Sequence, residues 1–157
     1  MYEHIKFKNA INMRKANYDK FPSTKLTGML VQGWDSIISM LKEKMDARKV
    51  LAVDLYTGVY EEEVLDAFSK EFSGRVMNVR DLMKPEKEIQ ALTERFMTED
   101  VLFGYVTNLK LEDYLDADKV AAARKQISEA KETIVIIGTG AAAVAPQDAM
   151  VVYADMA

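Results

Sequence analysis

Gly138 and Gly140 flank Thr139, directly after the apolar run Thr133-Ile134-Val135-Ile136-Ile137 and directly before Ala141-Ala142-Ala143. Glycines let a backbone approach an anion closely, the threonine adds a hydroxyl, and a helix opening at Ala141 would point N–H groups at the same place. Those are the ingredients of a phosphate cradle. The segment departs from a dinucleotide fingerprint, however: it follows the fourth apolar run instead of the first, Ala143 takes the third glycine's place, and no acidic residue stands about twenty positions on at a second strand end. It is not a P-loop either, since Gly-x-x-x-x-Gly-Lys-[Ser/Thr] has no match and no lysine follows. A tight strand-to-helix turn built from small residues explains it without a ligand, and is the favoured reading.

Two aspartates end other apolar runs: Asp54 precedes Thr57-Gly58, and Asp155 closes the last run. Carboxylates at neighbouring strand ends can hold magnesium or polarise a hydroxyl in phosphoryl transfer. Aspartate is also a common strand terminator and helix cap, so a structural role competes. The candidate pocket is Asp54, Thr57, Gly58, Gly138, Thr139, Gly140, Ala141 and Asp155, with Arg80 able to stand in for the missing phosphate-binding lysine. Asp81, Thr107 and Asn108 follow further runs. No catalytic residue and no metal ligand is assigned.

These residues share one property: each stands where an apolar run stops. Trp34, Ile37, Ile38, Leu41 and Met45 fall at helical spacing, with Asp35 or Ser36 as cap. Lys49 to Tyr56 reads as a strand buried on both faces. Tyr60 to Phe72 carries Val64, Leu65, Phe68 and Phe72 on one helical face behind Glu61-Glu62-Glu63, whose charges suit the positive end of a helix. Arg75 to Val79 makes a second strand. Pro85 suits the first turn of a third helix with Ile89, Leu92 and Phe96 inward. Val101 to Thr107 makes a third strand, and 108–115 fits no regular element. Asp116 caps a fourth helix to about Lys131 with Val120, Ala123, Ile127 and Ala130 inward. Thr133 to Ile137 and Ala149 to Ala154 complete five strands.

Strands alternating with helices imply an α/β, three-layer Rossmann-like domain with a mostly parallel sheet of about five strands and helices on both faces. The link from Ala141 to Asp148 is short for a crossover and contains Pro146. It allows one helical turn at most, or else an antiparallel last strand at an edge. In such sheets ligands bind beyond the carboxyl ends of the strands, where strand order reverses.

Composition narrows the chemistry. The chain has 157 residues, no cysteine and one histidine, His4, which argues against thiolate sites, His-rich metal cages and a Ser-His-Asp triad. A net charge of −4 argues against broad capture of nucleic acid or anionic membrane. The charge is uneven, with the basic excess in Lys6, Lys8, Arg14, Lys15, Lys20 and Lys25. We read 1–33 as an extended arm or cap and 34–157 as the α/β domain. The opening residues show no signal core, so a soluble, cytoplasmic protein is expected. The methionines at core-facing positions read as gap fillers.

At the chain's two ends the residues become more specific. Glu132 to Ala157, with its Gly-x-Gly-Ala turn and the closing Tyr153-Ala154-Asp155-Met156, resembles the end of a domain that precedes the cupin portion in a bacterial subset of class I mannose-6-phosphate isomerase-like proteins. Tyr18-Asp19-Lys20-Phe21-Pro22-Ser23-Thr24 and Gly33-Trp34-Asp35 are similar to that domain's start. The resemblance implies a degenerate kinase core without its phosphate-binding loop. The isomerase chemistry then belongs to a zinc-bearing jelly roll whose histidine, glutamine and glutamate ligands have no counterpart here, so no cofactor is expected in this chain. The implied function is that of a leading accessory or regulatory domain in sugar-phosphate metabolism, with a cupin domain as partner and a small phosphorylated ligand. The alternatives are a structural or interaction module that self-associates through its basic arm, and a small phosphotransferase using Asp54 and Asp155.

Overall fold

The structure, a computed structural model, describes residues 18, 20–23, 25, 27–45, 49–100 and 102–155. His4, Lys6, Lys8, Arg14, Lys15, Asp19, Thr24, Val101 and Met156 lie outside the described residues. The chain divides into two units, Met1–Leu30 and Val31–Ala157. In the first, the described residues form no helix or strand, and Lys20 Nζ lies 5.4 Å from the centre of the Phe21 ring.

In the second unit two strands are buried along their whole length, β1 (Val50–Leu55) and β3 (Ile134–Gly138). A strand without a polar face must be covered on both sides, and these two lie side by side at the middle of the sheet. β2 (Arg75–Asn78) pairs with β3, and β4 (Met150–Ala154) pairs with β1, giving the order β2-β3-β1-β4. All three pairings are parallel.

Alternate residues of the central strands feed two apolar clusters, one on each face. Leu51, Val53, Leu55, Val135 and Ile137 pack with Ile38, Leu41 and Met45 of α1 (Trp34–Met45) and Val64 and Phe68 of α2 (Glu61–Glu71). Trp34 and Phe68 meet edge to face at 6.4 Å, and Phe68 stacks on Phe72 at 5.6 Å. On the other face Val50, Ala52, Ile134 and Ile136 pack with Ala123 and Ile127 of α4 (Ala117–Glu129) and Ala141 and Val144 of α5 (Ala141–Val144). Caps follow residue chemistry. Asp116 accepts from the N–H groups of Asp118 and Lys119 at 3.0 and 3.1 Å, as its position before an amphipathic run predicts. α1 begins one residue before the expected cap: the Gly33 carbonyl accepts from the Ile37 N–H at 3.0 Å, so Asp35 and Ser36 lie inside the helix.

The sheet has four strands, not five. The apolar segment from Leu102 to Thr107 is irregular and exposed. Asp100 explains why: its carboxylate accepts from the N–H groups of Leu102 and Phe103 at 2.8 and 3.2 Å, a local turn that competes with a sheet ladder for the same donors. Tyr105 then returns its N–H to Phe96 at 2.9 Å, within the 3-10 turn Glu94–Phe96. α3 (Glu86–Thr93) begins after Pro85 as expected, but Ile89, Leu92 and Phe96 are half-buried and no residue of it is fully buried. The stretch without an expected element holds a 3-10 turn, Leu111–Tyr114. The last strand is parallel, reached through a single helical turn, and it occupies an edge. Among the described residues no helix is long and apolar enough to cross a membrane.

Phe68 is 1% exposed and touches both other aromatic rings of its face. Phe68→Ala is expected to cost about 3–5 kcal/mol in urea unfolding. A loss below about 1 kcal/mol would mean that this face is not packed as described.

Candidate functional site

β1 and β3 are neighbours, but their following segments leave on opposite faces: β1 leads to α2 and β3 to α5. Divergent connections at adjacent strand ends open a crevice there, the position that strand topology favours for ligands. Two adjoining hollows occupy it, of about 390 and about 340 Å³. Thr57, Gly58 and Tyr60 line the first, Gly138, Leu111 and Tyr114 line the second, and Glu61, Arg80 and Thr139 line both.

The Gly138-Thr139-Gly140 turn is held by both sterics and hydrogen bonds. Gly138 has φ +136, and a Cβ there would come within 2.8 Å of the Val79 side chain. Gly140 has φ +90, and its Cβ would come within 2.7 Å of Leu111. Left-handed backbone and close approach together require glycine at both positions. Asp54, 7% exposed, turns its carboxylate into this bend. Its Oδ1 accepts from the Gly140 N–H at 3.1 Å and its Oδ2 from the Ala142 N–H at 2.9 Å. Two amides that would face an incoming anion thus already face one from the protein itself, and they neutralise the burial cost of that carboxylate.

The other candidates separate. Thr57, Gly58, Gly138 and Thr139 line the crevice, while Asp54 and Gly140 line neither hollow and are joined to each other by a hydrogen bond. Ala141 is buried in the core with Val144. Asp155 follows the edge strand, is exposed and lines neither hollow. Among the described residues no group of three or more His, Cys, Asp or Glu could hold a metal ion.

Glu61 is the feature that sequence reasoning assigned elsewhere. Its place in an acidic first turn gives it a helix-end role, yet its Oε2 accepts from Arg80 Nη2 at 2.9 Å, and the Glu61 side chain is only 20% exposed against 64% for Arg80. Its Oε1 is buried and has no hydrogen-bond partner. The available signal was Arg80 itself, a cation just after a strand; its acid follows β1, which β3 separates from β2 in the sheet. Asn78 sets Arg80 in place by accepting the Arg80 N–H at 2.8 Å, which starts the 3-10 turn Val79–Leu82.

A larger cleft of about 800 Å³ lies at the opposite, amino ends of β1 and β3, floored by Val50, Ile127, Ile134 and Val144. Its Arg124 donates to the carbonyls of Ala143 and Val144, so the cation serves the α5 C-terminus. None of the sequence candidates lines it.

Asp54→Ala leaves the Gly140 and Ala142 N–H groups without their acceptor. The expected loss in urea unfolding is about 1–3 kcal/mol, with Asp54→Asn retaining part of the bonding. A loss under about 0.5 kcal/mol for the alanine variant would show that the carboxylate does not hold the turn.

No curated protein and no solved structure matches the chain. Residues 33–157 match the family described as "Domain of unknown function (DUF8485)", a span that takes in every helix and strand described above, and the chain belongs to that family.

Proposed function

We propose that the chain is an accessory, ligand-sensing domain of a mannose-6-phosphate isomerase-like protein, with no isomerase site of its own and with a cupin domain as its partner. The observation that carries this reading is the Asp54 carboxylate on the Gly140 and Ala142 amides. A bend of phosphate-cradle type whose donors are filled from within supports a kinase-like core that lacks transfer chemistry. The two face clusters support a three-layer Rossmann-like arrangement of that kind. Beside the filled turn there remains a crevice of ligand size, with Thr57, Thr139 and Arg80 as groups that orient a small phosphorylated sugar. A phosphotransferase built on Asp54 and Asp155 has less support, because the first carboxylate is taken up by the turn and the second lies outside the crevice.

Titration calorimetry of the chain against mannose 6-phosphate, fructose 6-phosphate and ATP tests the reading. Heat with a sugar phosphate, lost in Thr139→Ala and Thr57→Ala, is the expected result, together with no interconversion of the two sugar phosphates. Absence of heat with all three would remove the ligand-sensing role, and turnover by the chain alone would overturn the accessory role.

A further inference from the structure

The ionised groups lining the two hollows are Glu61, Glu62 and Arg80, one cation against two anions. That cation is already engaged by a carboxylate at 2.9 Å. A phosphate dianion brought to this point gains Arg80 and meets Glu61 and Glu62 at once, so the crevice is poorly built to hold a ligand by its phosphate. Its polar equipment fits something else.

Glu61 presents two oxygens with different fates: Oε2 takes a donor from Arg80, and Oε1 is buried without one. Leaving a carboxylate oxygen undersatisfied away from water is costly, and the cost is relieved by any group that donates to it. Arg80 carries five N–H donors, and one of its terminal nitrogens serves Glu61. Side by side, the pair therefore offers one acceptor without a donor and spare N–H donors on an exposed guanidinium. The complement is a pair of neighbouring hydroxyls, one donating to Glu61 and the next accepting from Arg80. The adjustment is small. Oε1 is reached by a partial turn about the terminal torsion of Glu61, which is broad in a glutamate, and Arg80 is the only side-chain partner of Glu61 among the described residues.

We propose that the Glu61–Arg80 pair reads the vicinal hydroxyls of a sugar, so that the crevice recognises its ligand by the sugar and leaves the phosphate outside the pair. This rests on the ligand-binding reading above and deepens it, by naming which end of the molecule is recognised.

The test uses the whole chain, nitrogen-15 labelled, and follows the amide signals of Gly58, Glu61 and Thr139. The probes are mannose 6-phosphate, ribose 5-phosphate, 2-deoxyribose 5-phosphate, whose furanose lacks neighbouring hydroxyls, and inorganic phosphate. Ribose 5-phosphate is expected to bind at least about tenfold tighter than its 2-deoxy counterpart, about 1.4 kcal/mol, with inorganic phosphate leaving the three signals in place. Glu61→Gln, checked for a native amide spectrum, is expected to bring the two pentose phosphates to within about threefold of each other by halving the charge-assisted bonding. Equal binding of the two in the unmodified chain, or inorganic phosphate moving the same signals at the same concentration, overturns the hydroxyl proposal while leaving a sugar-phosphate site intact. Undiminished discrimination in Glu61→Gln overturns the role given to Glu61. No response to any sugar phosphate removes the proposal and the ligand-sensing reading together.

Discussion

Asp54 is a charge in a central strand otherwise built from Val, Leu and Ala, and the rest of the domain is arranged to tolerate it. The residue stands opposite Gly138 in the β1–β3 register, and its oxygens reach past that glycine to the amides of Gly140 and Ala142. The bend must therefore pass close above β1, which excludes side chains at Gly138 and Gly140 and draws Val79 and Leu111 against the bare backbone. One buried carboxylate thus ties together the central strand, the turn after β3, the segment after β2 and the 3-10 turn at Leu111–Tyr114. These are the walls of the crevice. Its shape follows from the requirement that Asp54 keep its donors.

Much of this was legible in the amino-acid order because it depends on local patterns. Uninterrupted apolar runs marked Val50–Leu55 and Ile134–Gly138 as strands covered on both faces, and periodicity with an aspartate in front marked Ala117–Glu129. What stayed hidden was decided by competition or by distance. The run from Leu102 has strand composition, but a carboxylate two residues earlier takes its N–H groups first. Ile89, Leu92 and Phe96 have helical spacing, but periodicity says which side of a helix is apolar and not how closely anything approaches it. The pairing of Asp54 with amides 86 and 88 positions away, and of Glu61 with Arg80 across a strand order that composition does not encode, is a property of topology.

The same distinction applies to the candidate site. Its members were identifiable as strand-end residues, since small, hydroxylic and acidic types collect where apolar runs stop. Their grouping was not, because it requires knowing that β1 and β3 are neighbours and that β4 lies at the far edge. Once that order is in hand, Asp155 falls on the side of β1 away from β3, outside the crevice, and Glu61 passes from helix-end charge to crevice wall. An acidic residue at a helix start has two uses that look alike in one dimension.

The strand order also governs how the domain is made. β1 has two partners, β3 and β4, and the nearest residue it pairs with, Ile134 opposite Val50, comes 84 positions later. β2, the strand synthesised next, touches β3 and not β1. A nascent chain that stops short of Ile134 therefore contains two strands and no ladder, and its most apolar segment has nothing to bond to. Folding of so non-local a sheet waits for Ile134 and the residues after it to emerge, and is slow for the loop closures it requires. Until then the helices must shield Val50–Leu55 on their own, which gives the apolar stripes of α1 and α2 a task that begins before the structure they belong to exists.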